Sequence, residues 1–88
     1  MSGRDGADGA SLPAPDLDLD LSGLKCPLPV LRARKALAGL APGGRVRLVC
    51  TDPMAAIDIP NLVRERGDLL EHCSRDGARL VFVLRRAG

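Results

Sequence analysis

The residues best suited to chemistry lie in one short stretch, Gly23-Leu24-Lys25-Cys26-Pro27-Leu28-Pro29-Val30. It sets a cysteine between a strand-like segment and a helix-like one, with prolines one and three residues later. Proline suits a helix's first turn, because the N–H it lacks would have had no partner inside the helix. The spacing therefore places Cys26 at the N-cap or last loop position, with Pro27 opening the helix. A thiol there faces unpaired N–H groups and the positive end of the helix dipole, and both favour thiolate. Lys25 is adjacent. No acidic residue occurs from Gly23 to Arg47, whereas Lys25, Arg32, Arg34, Lys35, Arg45 and Arg47 are all cationic. The chemistry implied is attack by the Cys26 sulfur, for which thiolate is the reacting form.

The other candidates read as structural. Cys50 lies within a strand alternation and Cys73 in a strand near a hairpin. Asp52, before Pro53, suits a helix N-cap, and Asp58 suits a similar role. His72 has no partner at a defined spacing, so nothing marks it as a general base. The three cysteines include no Cys-x-x-Cys pair. They support neither a metal site nor a disulfide framework, and they fit reduced thiols in the cytoplasm.

The elements that must position Cys26 follow from periodicity. Leu17, Leu19 and Leu21 alternate with Asp16, Asp18 and Asp20, giving a strand with one wet side. From Pro27 to about Leu40, Val30, Ala33, Leu37, Leu40 and Ala41 recur every three or four residues, giving an amphipathic helix. Arg32 and Lys35 lie off that stripe and Arg34 at its edge. Pro42-Gly43-Gly44 ends the helix, and Arg45 to Thr51 forms a strand with Val46, Leu48 and Cys50 on one face. A second helix starts at Asp52-Pro53, with a kink or restart expected near Asp58 because of Pro60, and stops at Gly67. Strands at Leu69–Ser74 and Arg79–Arg86 flank the Asp76-Gly77 hairpin signal. The order β-α-β-α-β-β predicts an α+β fold: a two-layer α/β sandwich with a four-stranded mixed sheet and both helices on one face. Strand, helix, strand implies a parallel first pair, but periodicity leaves the full strand order open.

Composition narrows the function. Phe82 is the sole aromatic, so no stacking platform for bases exists, and the net charge is only +2. Direct nucleic-acid binding is not expected. No apolar run is long enough for a membrane span. Apart from Met1, Arg4 and one Leu, residues 1–15 are Gly, Ala, Ser, Pro and Asp. They are too poor in apolar surface to offset ordering entropy and read as a disordered tail before a domain spanning 16–88.

The Gly-Leu-Lys-Cys-Pro-Leu-Pro-Val stretch, the Asp-Pro after the second strand and the Asp-Gly turn before the last resemble the TusA (SirA-like) family of small sulfur carriers, over roughly Leu17 to Arg86. Leu28 departs from that pattern, since many members carry Glu there. The resemblance implies a cytoplasmic carrier that holds sulfane sulfur as a persulfide on Cys26, with Gly23, Lys25, Pro27 and Pro29 shaping the loop. It implies a cysteine desulfurase or other persulfide protein as donor and a sulfur-relay protein as acceptor, with destinations such as tRNA thiolation, cofactor sulfuration or sulfur oxidation. No metal or organic cofactor is required. The cations Arg32, Arg34 and Lys35 would dock an acidic partner. This is sulfurtransferase-like work rather than that of a free-standing multi-turnover enzyme. The competing reading is a non-catalytic regulatory module whose basic helix binds RNA or an acidic protein. If residues 1–15 contribute nothing to the domain, their removal will leave the melting temperature unchanged; a loss of several degrees would show that they pack on it.

Overall fold

The computed structural model describes residues 15–88, so the expected tail lies outside the described residues except for Pro15. The elements are β1 (Leu17–Leu21), α1 (Leu28–Gly39), β2 (Arg45–Cys50), α2 (Ala55–Arg66), β3 (Leu69–Asp76) and β4 (Arg79–Arg85). They form one mixed sheet in the order β1-β2-β4-β3. β1 runs parallel to β2, while β4 is antiparallel to both β2 and β3. The order follows from chain economy. The β3–β4 hairpin adds as a unit, and β4 is the member that meets β2.

Both helices cover one face. Leu21, Val46, Leu48, Cys50, Phe82 and Leu84 from the sheet meet Ala33, Leu37, Ile59 and Leu62 from the helices, all almost wholly buried. With one aromatic available, the core rests on branched aliphatics closely packed around Phe82. The opposite face carries charge. Arg47 reaches Asp18 (3.2 Å), while Arg45 and Arg85 share Glu71 (2.6 and 3.7 Å). Between these pairs Val49 and Val83 are also buried, with Arg47 directly across from Val83 in the register. Long Arg stems shield apolar surface in just such positions.

The helix boundaries differ from the expected ones in two places. α1 opens at Leu28, with Pro27 as the N-cap. Pro29 rather than Pro27 occupies the early helical slot where a missing N–H is harmless. α2 is continuous from Ala55 to Arg66 with Met54 as its N-cap, not capped by Asp52 and not restarted near Asp58. Asp52 instead closes a preceding turn, accepting the Met54 N–H on Oδ1 (3.1 Å) and the Ala55 N–H on its carbonyl (3.0 Å). Within α2, Pro60 forfeits only the hydrogen bond to the Ala56 carbonyl. Ala56 is exposed, so water can serve that carbonyl. β3 runs two residues further than expected, to Asp76, while β4 ends one residue earlier, at Arg85, leaving Gly77-Ala78 as a two-residue turn.

The helix ends are tied to the sheet. Gly67 adopts φ +77 at the end of α2, and its N–H returns to the Arg64 carbonyl, a left-handed stop that glycine accepts without strain. Asp68 follows, its side chain 5 % exposed, accepting from Arg66 Nε (2.8 Å) and the Ala87 N–H (3.0 Å). Burial alone would raise the Asp68 carboxyl, but these donors and the nearby Arg86 hold it below its usual range. At the other helix, the Arg86 guanidinium donates to the Ala38 carbonyl (3.1 Å) and to that of Leu40, closing the C-terminus of α1. Replacing Asp68 by Ala removes the acceptor of the part-buried Arg66 guanidinium and of the exposed Ala87 N–H, a loss of about 1 kcal/mol at neutral pH. In wild type the same contribution is present above the ordinary carboxylate range and fades as acid protonates Asp68. Chemical denaturation of both proteins across pH will show the two stability curves converging at low pH.

Candidate functional site

The site is assembled by the parallel strands. In the β1–β2 register Leu21 lies opposite Cys50, so the loops that follow both strands start level at one edge of the sheet. The C-terminal edge of parallel strands is where open α/β sheets place their ligands. Two hydrogen bonds then join the loops. The Gly23 N–H donates to Thr51 Oγ1 (2.8 Å), and the Cys26 N–H donates to Asp52 Oδ2 (2.5 Å). Gly23 has φ +83, a conformation that a side chain would strain. Asp52 thus serves both loops. The N–H groups of Cys26 and then Met54, with the Lys25 charge adding to them, hold its carboxyl below the usual value.

Cys26 is exposed, in the loop just before the Pro27 cap. Its sulfur lies 3.3 Å from Asp58 Oδ2, close enough for the S–H to donate to that carboxylate. Together they line a cleft between α1 and α2 that includes Val30, Asn61, Leu62 and Glu65. The electrostatics therefore run opposite to the sequence expectation. The hydrogen bond to Asp58, partial desolvation and the charges of Asp58 and Asp52 push the Cys26 thiol above its ordinary value. The chain is free of acids around Cys26 in sequence, but the fold brings two of them to it from residues 52 and 58. Asp52 and Asp58 were expected only as helix caps. The signal that could have found them is the parallel β-α-β itself, since it makes the starts of both following helices neighbours.

The basic run disperses in space. Arg45 and Arg47 are held on the open face by Glu71 and Asp18, and Arg34 lies 3.8 Å from Glu65 of α2. Lys25, Arg32 and Lys35 are exposed and form no ion pair among the described residues. Arg32 and Lys35 border a groove floored by Leu17, Leu19, Ala36 and Leu40. Pro29 is buried, Pro27 is exposed, and Leu28 is 45 % exposed. Cys73 is exposed on β3, at the sheet edge opposite β1. His72, on the same strand, is 3.0 Å from Ser74 Oγ. Among the described residues, no group of three or more His, Cys, Asp or Glu is arranged to hold a metal. None of their helices is long and apolar enough to cross a membrane.

The model of the family described as Sulfurtransferase TusA matches residues 17–86. The chain belongs to the TusA family. It is 33% identical over 72 residues to the sulfur carrier protein TusA of Allochromatium vinosum, covering 82% of this chain and 95% of that protein. The TusA of Pseudomonas aeruginosa is 36% identical over 73 residues, covering 82% and 92%. In three dimensions the chain resembles the crystal structure of a SirA-like protein from Desulfitobacterium hafniense, with TM-score 0.72 and 26% identity over 82% of this chain and 99% of that one.

Cys50 differs sharply from Cys26. It is fully buried between the sheet and the helices, and burial, with the charge of Asp52, pushes its thiol up to about 11. Brief iodoacetamide treatment at neutral pH will therefore leave Cys50 unmodified in the folded protein and label it in denaturant, as peptide mapping will show.

Proposed function

We propose that this TusA-family sulfur carrier takes up sulfane sulfur on Cys26. The observation that supports the reading is an exposed thiol in a loop clamped by its neighbours, at the sheet edge where the parallel strands deliver their loops. The Cys26 sulfur attacks the outer sulfur of a donor persulfide R–S–SH. The donor's S–S bond breaks, a new one forms on Cys26, and the proton given up by Cys26 ends on the departing R–S⁻. No oxidant is consumed. A thiolate of the acceptor repeats the exchange and returns Cys26 to its thiol.

The donor is a cysteine desulfurase or another persulfide protein, the acceptor a further relay protein, and the setting the cytoplasm. Neither metal nor organic cofactor enters the exchange. Arg32 and Lys35, with Arg34 beside them, attract an acidic surface of a partner, and the exposed Leu28 and Leu31 give it apolar contact. Gly23, Lys25, Pro27 and Pro29 shape the loop that presents the sulfur.

Replacing Cys26 by Ser will abolish loading while leaving the fold intact, since a hydroxyl is far less acidic than a thiol and a carboxylate beside it is too weak a base to make it a competent nucleophile. Intact mass after incubation with a persulfide donor reads the gain of one sulfur atom. Normal loading of Cys26→Ser, or no loading of wild type by any donor, would overturn the reading. Charge reversal at Arg32 and Lys35 will slow loading from a protein donor by about tenfold, and added salt will slow wild type likewise. Loading by a small-molecule persulfide will be unaffected by the reversal.

A further inference from the structure

Cys26 is met from α2 by Asp58 and from the turn before α2 by Asp52. These two carboxylates differ in how they are engaged. Both oxygens of Asp52 accept backbone N–H groups, from Cys26 and Met54. Glu65, further along the cleft, faces Arg34. Asp58 has no ion-pair partner among the described residues, and one of its oxygens points at the reactive sulfur. The cation nearest in sequence, Lys25, acts on Asp52. An unpaired carboxylate at hydrogen-bond range of a thiol, with no cation between, favours the protonated sulfur.

We propose that Asp58 is a positioning residue that latches empty Cys26 as a thiol, and that a donor bringing a cationic side chain to Asp58 releases it. The S–H donates to Asp58 Oδ2 and stays directed into the cleft between α1 and α2. When a cation pairs with Asp58, the carboxylate no longer opposes loss of the proton, and the sulfur becomes nucleophilic in the docked complex. Oxidants and small electrophiles that bring no cation meet a muted thiol. The docking partner is thereby specified more finely than by the α1 cations alone. It carries acidic groups opposite Arg32 and Lys35 and a basic group opposite Asp58.

The significance of the latch rests on Cys26 being the sulfur-bearing residue, but its test does not. The measurement is the pH profile of Cys26 alkylation, followed by peptide mapping so that Cys50 and Cys73 do not contribute. In wild type the midpoint lies above that of the same cysteine in the denatured chain. Asp58→Asn keeps the shape and removes the charge. It moves the midpoint down and speeds labelling at pH 7 about threefold, since the gain in thiolate outweighs the accompanying loss of intrinsic nucleophilicity. Asp52→Asn, whose carboxylate is engaged with backbone groups, has the smaller effect. The ratio of labelling by cationic to anionic methanethiosulfonates is higher in wild type than in Asp58→Asn.

Unchanged or slower labelling of Asp58→Asn at pH 7 overturns the proposal, as does a larger effect of Asp52→Asn or an unchanged reagent ratio. A wild-type midpoint at or below the denatured value overturns it with no variant at all. Failure here would leave sulfur loading of Cys26 intact, and failure of loading would leave the pH profile intact, so the two ideas fall separately.

Discussion

The parallel pairing of β1 with β2 is the constraint on which everything else in the molecule depends. A register that sets Leu21 opposite Cys50 starts two loops at the same height, and backbone N–H groups that would otherwise be orphaned find acceptors across the gap. Gly23 uses Thr51 and Cys26 uses Asp52. Shift the register by one residue and the alternation inverts: Leu21 would leave the core and the loops would lose their partners together. Fold and site are in this sense a single specification, written in the leucines of β1 and the valine and leucine of β2.

Much of this was legible in the sequence. The Leu–Asp alternation of β1, the three-and-four spacing of α1 and the Asp-Gly turn each report a local period, and a local period survives without knowledge of neighbours. The two-layer sandwich follows from their order. What could not be read was whatever depends on residues distant in the chain. The position of β4 between β2 and β3 is decided by pairing, not by period. Pro60 looked like a break because its cost is counted locally, whereas tertiary packing of Ile59, Leu62 and Val63 holds the helix through it. The sequence singles out Cys26 as a candidate but not its surroundings, since Asp58 lies 32 residues away.

The charge pattern makes the same point. Six cations without an acid among them suggest one positive surface, yet β-pairing and helix packing hand three of them to Asp18, Glu71 and Glu65. The survivors, Lys25, Arg32 and Arg34's neighbour Lys35, sit on or before α1. The fold thus divides its charge by function. Two of these pairs dress the open face of the sheet and the third bridges the helices, while Arg32 and Lys35 border the groove beside β1 and the Asp58 carboxylate meets the Cys26 sulfur.

The clamp that Arg86 places on the carbonyls at the end of α1 bears on how a carrier of this kind can hand over its cargo. With that end of the helix fastened to the residue just past the last strand and the loop at its start pinned at Gly23 and Cys26, the described residues give Cys26 no swinging arm. A sulfur carried on Cys26, as proposed, would reach no further than one side chain and one added bond. Any enzyme that fills or empties it must do the travelling itself, by offering a concave mouth that swallows this corner of the domain or a mobile loop that extends its own cysteine outward.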